Sequence, residues 1–440
     1  MRFPTRAPIT ALALLTALST TLPASAQFSQ YTEPGGVLER GTSRKEQMEK
    51  AVENARWRLG PVRLSPWFTI RDAAYVSDVF AGSRETAPGQ EEEDSDFTIT
   101  AGAGLQGFLP IGPKSYFTFD ALPHYVYWQE LEERRRLNGY YGASLLGFFN
   151  RLTLEATARR AEEQGVLTPE FEQRVHSRQD RIEGLIEVKL TPSLFLFTSG
   201  SSLETSALTE DLGDDPRLPP FQELDREERV LRGGLEARFR ERLRVAVGVE
   251  RSEVDFLEPG HDRSNSGTSP LLEWDYQSDR LKVSGGVAFR SLEPEGGSEF
   301  VPFDDATGQL QVTLTPRWRL SYSAYATRNL VYSLEEDVSH FTSDRFGLSI
   351  SAKVGQESSV TLFGETGGHD YETASAALAR DDDFTAFGTQ ISLSLRERVR
   401  FNFGVSRSEI DSSLPGLDRS LTVVQSSIEI SAFGGALTVR

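Results

Sequence analysis

The chain contains no cysteine, and this absence excludes several kinds of chemistry. Without thiols there is no disulfide, no thiolate metal site and no cysteine nucleophile. Histidine is also scarce, with five among 440 residues, and neither a His-Glu-x-x-His pair nor a Gly-x-Ser-x-Gly elbow occurs. We therefore expect a protein that is not an enzyme and needs no cofactor or metal. An outer-membrane hydrolase remains a minor alternative.

Positive charge and long apolar runs are scarce as well. Lys and Arg number 47 against 65 Asp and Glu, which gives a formal net charge of −18. Such an acidic chain is not expected to bind nucleic acid, whose phosphates attract basic surfaces. The only long apolar run lies at the extreme N-terminus. A membrane protein built from several helices is therefore excluded.

The N-terminal run has the three parts of a secretory signal peptide. Arg2 and Arg6 precede an apolar stretch from Ile9 to Leu22, and Ala24-Ser25-Ala26 supplies a cleavage pattern of small residues. Residues 1–26 are therefore predicted to be removed, which makes the mature protein an exported one. A lone membrane-anchoring helix is the alternative reading.

Residues 27–60 form a lead that contains one predicted helix. Ser43 and Glu46 match a capping box, and Gly60 and Pro61 are expected to end the helix after Leu59. Its apolar positions recur at helical spacing: Met48, Ala51, Val52, Ala55 and Leu59. This helix could gate the periplasmic mouth of a barrel, dock a periplasmic partner or act as a tether.

From residue 61 to residue 440 the apolar pattern has a period of two. Phe346, Leu348 and Ile350, for example, alternate with Arg345, Gly347 and Ser349, as in a strand with one apolar and one wet face. Short polar turns recur about every 40 residues, near Gly112, Asn150, Pro192, Glu241, Asp279, Pro316, Gln356 and Glu397. Long acidic segments such as Asp381–Asp383 lie between them.

This alternation predicts an all-β fold, an antiparallel transmembrane β-barrel of about 18 strands with 16 as the alternative. The first strand is expected from about Trp67 to Val79, and the last should end between Ile430 and Arg440. Aromatic residues such as Trp67, Trp128 and Tyr325 are interpreted as interfacial girdles. A β-propeller or β-helix is the soluble alternative.

The strand parity also predicts which charged side chains face the interior. The basic residues are Arg71, Arg159, Arg181, Lys189, Arg232, Arg238, Arg244, Lys282, Arg290, Arg319, Arg345, Lys353 and Arg400. The acidic residues are Asp120, Glu155, Glu183, Glu187, Glu236, Glu250 and Glu365. This basic excess favours the passage of anions. The alternatives are an interior of mutually compensating ion pairs, or a pore for cations or neutral solutes. His124 is interpreted as a hydrogen-bonding residue of the interior.

One segment resembles a family of bacterial outer-membrane barrels known as β-barrel porin 2. Leu59-Gly60-Pro61 precedes the first strand, and Tyr75-Val76-Ser77-Asp78-Val79-Phe80 matches the family's Tyr-x-x-(Asn/Asp)-Val-Phe pattern. The resemblance implies a barrel and suggests polysaccharide export. A basic interior in an 18-stranded barrel also resembles the alginate exporters. No binding residue transfers from either likeness.

The sequence therefore predicts a bacterial outer-membrane barrel with an anion-favouring aqueous passage that serves the secretion of an anionic exopolysaccharide. A general solute porin or a structural or ligand-binding barrel is the alternative. The expected partners are outer-membrane lipid and lipopolysaccharide, a periplasmic polysaccharide-export protein, and an anionic polymer or small anions.

Overall fold

The structure is a computed structural model. It describes residues 48–431 except 50, 54, 56, 78–94, 209–220, 241, 259–261, 318, 336–337, 356–357, 374–379, 396–398 and 415–416. The predicted signal peptide, the capping box at Ser43 and residues 432–440 lie outside the described residues. No described helix is long and apolar enough to cross a membrane.

The described part of the chain is built almost entirely from strands, joined by the single-turn 3₁₀ helices Glu132–Arg134 and Phe221–Leu224. The strands in chain order are β1 (Trp57–Leu59), β2 (Val62–Val76), β3 (Asp96–Pro110), β4 (Ser115–Trp128), β5 (Arg136–Phe148), β6 (Leu152–Thr168), β7 (Phe171–Lys189), β8 (Leu194–Ala207), β9 (Arg226–Phe239), β10 (Leu243–Phe256), β11 (Asn265–Gln277), β12 (Leu281–Pro294), β13 (Phe303–Arg317), β14 (Leu320–Tyr332), β15 (Val338–Val354), β16 (Ser358–Thr373), β17 (Asp381–Leu395), β18 (Val399–Ser412) and β19 (Arg419–Ser431).

Strands β2 to β19 close into one antiparallel barrel. Each strand pairs with the next along the chain, and β19 returns to pair with β2. The count of 18 barrel strands confirms the prediction and rejects the alternative of 16. Closure satisfies the backbone groups of every strand without a free edge, as a bilayer requires.

The strand boundaries differ from the predicted ones in three places. β2 begins at Val62 rather than Trp67, and β13 continues through Pro316 before it turns. Asp381–Asp383 was expected in a loop but opens β17, where Asp382 pairs with His369 of β16 and with Ser412 of β18. The barrel wall therefore extends further toward the long connections than the apolar pattern indicates.

The two faces of the strands differ as predicted. On β15 the side chains of Phe346, Leu348 and Ile350 are about half exposed or more, while Gly347 and Ser349 between them are buried. This exposed apolar face runs around the barrel and matches the hydrocarbon of a membrane. The closed barrel and its apolar exterior fit the predicted location in the bacterial outer membrane.

The aromatic residues divide between the two faces, so the girdle interpretation is only partly right. Tyr75, Tyr125 and Tyr322 are exposed on the outer face. Trp67 and Tyr325, in contrast, lie on the inner face over the cross-strand partners Gly104 and Gly347. A Cβ at either glycine would lie less than 3 Å from the ring. Each ring therefore packs in space that is open only because its partner is glycine.

The N-terminal helix ends earlier than predicted. Residues 48, 49 and 51–53 are helical, whereas Trp57–Leu59 forms β1 and pairs with the start of β2 around Gly60, whose φ is +60°. Gly60 and Pro61 thus turn a hairpin rather than end a helix. The helix packs against Phe108 and Tyr116 of the inner wall, so it lies inside the barrel at the end of the short turns.

Candidate functional site in the barrel interior

All of the predicted basic interior residues lie in barrel strands except Arg319. Arg319 lies in the turn between β13 and β14, because β13 continues to Arg317. Several of the others contact a side chain two strands away. Such side chains can meet only on the concave face of the barrel wall, so these residues face the interior. Arg290 of β12, for instance, contacts Glu250 of β10 past β11.

A continuous row of ion pairs crosses the inner wall from β7 to β12, and we call it the ion-pair belt. Its members are Glu187, Arg238, Glu236, Arg244, Glu273, Asp275, Arg232, Glu250 and Arg290.

The half of the belt near the short turns is partly open to the interior. Arg238 of β9 contacts Glu187 of β7 and Glu236 of its own strand. Arg244 of β10 donates to Glu236 over 2.6 Å and to Asp275 over 2.9 Å. The side chains of Arg238 and Arg244 are 41% and 33% exposed. These two guanidinium groups are therefore held in place while they still face solvent.

The half of the belt near the long loops is buried. Arg232 of β9 pairs with Glu250, whose other oxygen accepts from Arg290 Nη1 over 3.0 Å. Arg290 Nε also donates to Thr307 Oγ1 over 2.6 Å. Glu250 is fully buried and Arg290 is 2% exposed. A buried carboxylate between two guanidinium groups ties β9, β10 and β12 together.

The belt contains acidic residues that the sequence analysis missed. Glu273 and Asp275 alternate with Trp274 and Tyr276 on β11, which is the same dyad signal used for the other strands. In the sequence analysis the parity was not extended to this strand. With Glu273 and Asp275 included, acidic groups balance the arginines of the belt. In this part of the wall, the alternative of mutually compensating ion pairs therefore fits better than the predicted basic excess.

Other predicted residues form smaller groups. Arg345 of β15 pairs with Glu365 of β16, which also accepts from Tyr325. Arg181 lies 3.3 Å from Glu183, and Arg159 interacts electrostatically with Asp120.

His124 is almost fully buried on the inner face of β4. Its Nδ1 lies 3.2 Å from the carbonyl oxygen of Leu122, its ring stacks on Tyr140, and Arg71 Nη2 lies 3.5 Å from its Nε2. His176, His340 and His369 lie in β7, β15 and β16.

Basic side chains remain near the short turns without acidic partners. Lys282 and Lys353 lie two positions from a turn, on β12 and β15, and both are exposed. Neither forms an ion pair with any residue that the structure describes. Lys189, the last residue of β7, is half-buried, and so is Arg400 of β18, which lies opposite Glu429 of β19. Lys282 and Lys353 thus give this mouth two basic groups that no described carboxylate compensates.

The opposite mouth is filled by inward-folded connections. An apolar cluster joins the β6–β7 hairpin, the 3₁₀ helix at Phe221, the connection at Phe300 and the β14–β15 connection at Leu334. Its buried members are Val175, Ala207, Phe221, Leu224, Val254, Leu292, Phe300, Phe303, Leu330, Tyr332 and Leu334. We call it the loop cluster. It narrows the long-loop mouth of the barrel.

A buried carboxylate fastens the β6–β7 hairpin across this mouth. Glu170, at the tip, accepts from Ser333 Oγ and from the backbone N–H of Leu334, each over 2.8 Å, and lies 3.7 Å from Arg380. Beside it, Arg419 donates to the carbonyl of Pro169 over 3.1 Å. One hairpin tip is thus bound by three other connections.

One acidic group in the described residues has spacing suited to a cation. Glu253, Asp255 and Glu295 bring carboxylate oxygens close together near the long-loop end. Arg229 Nη1 lies 3.3 Å from Glu253 and 3.4 Å from Asp255. The guanidinium group of Arg229 thus provides the positive charge that a metal ion would otherwise bring.

Solved structures with the same fold are outer-membrane porins. OccK2 (OpdF) of Pseudomonas aeruginosa has a TM-score of 0.52 at 11% identity, and OpdK of the same organism, solved with vanillate, has 0.51 at 11%. A BenF-like porin from Pseudomonas fluorescens has 0.50 at 10%. Each match covers 84% of this chain and 98% of the other.

No model of a known protein family and no curated protein matches the chain. The resemblance to β-barrel porin 2 is therefore not confirmed. At these identities the structural matches show the fold of a porin and nothing finer. A barrel of the outer-membrane porin type is thus shown, whereas its solute is not.

The first prediction concerns the buried half of the belt. Glu250→Gln leaves Arg232 and Arg290 without their shared carboxylate, and breaking a buried pair costs about 3–5 kcal/mol. We expect a lower unfolding midpoint in urea, measured by the mobility shift of folded against unfolded barrel in electrophoresis. Glu227→Gln, which breaks the exposed pair with Arg229, is the control and should cost less than about 1 kcal/mol. Equal losses would contradict the role of the belt.

The second prediction concerns pH at the long-loop mouth. Burial raises the pKa of Glu170, which Arg380 and Glu335 face. Burial likewise raises the pKa of Asp225 to about 6, opposed by the N–H of Ala207 and by Arg226. Because these carboxyl groups hold their protons more tightly in the folded protein, they stabilise the packed mouth at pH values below the ordinary carboxyl pKa. This stabilisation is lost as pH rises through about 6.

Conductance in planar bilayers should therefore rise between acidic and neutral pH. The double variant Glu170→Gln/Asp225→Asn keeps both groups neutral and should flatten this profile. An unchanged profile in the double variant would show that other groups set the pH dependence.

Proposed function

We propose that this protein is an outer-membrane channel that favours small anions. The observation that carries the proposal is the pair of exposed ammonium groups of Lys282 and Lys353 at the short-turn mouth, neither of which forms an ion pair with a residue that the structure describes. Short turns face the periplasm in barrels of this type. Unpaired positive charges at a pore mouth raise the local concentration of anions.

The belt supports the proposal in a second way. Arg238 and Arg244 are fixed by carboxylates on one side and remain partly exposed on the other. A guanidinium held in this way offers its remaining N–H donors to a passing carboxylate or phosphate at little entropic cost. The two lysines attract the anion, and the two arginines then guide it along the wall.

The proposal is limited to small anions and does not include secretion of an anionic exopolysaccharide. A polymer would have to thread through the long-loop mouth, where the loop cluster and the contacts of Glu170 lie. Both would have to separate for a chain of sugars to pass. A small anion needs only local movement of one connection.

The third prediction tests charge selectivity. Purified protein in a planar bilayer under a salt gradient should give a reversal potential that favours chloride. Lys282→Glu/Lys353→Glu reverses two mouth charges and should shift the potential toward cation selectivity. These lysines are better targets than Arg244 or Arg345, whose reversal would also break pairs with Glu236 and Glu365.

The matched control is Arg251→Glu, which makes the same kind of charge change on the outer face of β10. It should leave the reversal potential unchanged. Vanillate, with which OpdK was solved, is a reasonable first organic anion for competition. If the lysine variant kept the wild-type selectivity, the proposed role of the mouth would be wrong, and absence of conductance would favour a structural barrel.

A further inference from the structure

The outer surface at the short-turn end carries a second set of basic residues, distinct from those of the interior. They lie in four connections and are all exposed: Lys114, Arg151, Arg240, Arg242 and Arg280. We call this set the basic rim. The same connections contain only Glu241 and Asp279 as acidic residues. The rim is therefore strongly positive on a protein whose net charge is strongly negative.

The arginines of the rim differ from exposed arginines elsewhere in how they are compensated. Arg151, Arg240 and Arg280 form no ion pair within the described part of the chain. Toward the long loops, the exposed arginines Arg229 and Arg407 do form pairs, with Glu227 and Glu409, and the half-buried Arg135 pairs with Glu132. Exposed guanidinium groups near the long loops are thus neutralised, whereas these three near the short turns have no ion-pair partner among the described residues.

The backbone at Arg240 adds an independent sign that the side chain matters. Arg240 has a φ of +49°, in the left-handed region that an L side chain rarely adopts. Gly355, the first residue of the three-residue connection after β15, has a φ of +78°. Glycine is the ordinary residue in this conformation. An arginine there costs backbone strain that glycine would avoid.

The apolar side chains beside the rim show at what depth it lies in a membrane. Ile111, Phe149 and Phe239 are each about half exposed on the outer face, and they are followed within three positions by Lys114, Arg151 and Arg240. Apolar side chains so close to the turns place hydrocarbon next to them. The basic groups then lie at the level of the lipid phosphates.

We propose that the basic rim binds the phosphate headgroups of anionic phospholipid in the periplasmic leaflet. Unpaired guanidinium and ammonium groups at phosphate depth supply both the charge and the donors that such headgroups accept. A soluble acidic protein is the less suitable partner, because lipid would cover the apolar side chains next to the rim. This binding is independent of anion passage, since rim residues lie outside the barrel interior.

The test compares reconstituted protein in vesicles of phosphatidylcholine alone and of equimolar phosphatidylcholine and phosphatidylglycerol. Native mass spectrometry counts the phosphatidylglycerol molecules that remain bound, and thermal unfolding reports the stabilisation. The rim variant is Arg151→Gln/Arg240→Gln/Arg280→Gln. The control removes three paired charges toward the long loops, as Arg135→Gln/Arg229→Gln/Arg407→Gln.

We expect wild type and control to prefer phosphatidylglycerol and the rim variant to lose about fivefold in affinity per charge removed. In 1 M salt, which screens charges over about 3 Å, all three should conduct alike, which separates this test from that of the proposed channel. Retained preference in the rim variant, or equal loss in the control, would overturn the proposal. So would equal competition by inorganic phosphate, because the rim would then bind phosphate irrespective of a membrane. Rim-dependent sedimentation with cell-wall sacculi, without a lipid preference, would assign the rim to a different partner.

Discussion

Hydrocarbon offers no hydrogen-bonding partner to a peptide group, and the architecture of this protein follows from that constraint. Every strand from β2 to β19 has two neighbours, and the last strand returns to the first. Once the ring is closed, its outer face must be apolar, so the polar side chains lie inside or at the two ends. The ion-pair belt, the loop cluster and the basic rim occupy the places that this arrangement leaves for charge and for folded connections.

Charge is organised along the axis of the barrel rather than simply between inside and outside. In the belt, arginines and carboxylates balance one another and brace adjacent strands. At the short-turn mouth, Lys282 and Lys353 lack such partners. The same interior therefore combines a compensated wall, which braces the strands, with a mouth to which we assign the selectivity of the proposed channel. A barrel in which all charges were paired would not raise the local concentration of ions at its mouth.

The sequence predicted the barrel, its strand number and the positions of the short turns, because these depend on local dyad periodicity. Residues 57–59 were assigned to a helix because Leu59 continued the helical spacing, whereas pairing with Val62–Leu64 makes them a strand. Glu273 and Asp275 could have been found by extending the parity along β11. Glu170 could not, since Ser333 and Arg380 reach it only through the folding of distant connections.

The seam between β19 and β2 has a consequence for how the protein can be made. The pairing of β2 with β3 shifts register between Arg71 and Ala74, and the pairing of β2 with β19 shifts register near Ser426. The first barrel strand, β2, thus waits for β19, and a nascent polypeptide has two unpaired strand edges until β19 has been synthesised. A product truncated before Arg419 would keep both edges and could not insert. Biogenesis of this barrel therefore requires that β2 and β19 be brought together before the ring can close, whatever solute it later carries.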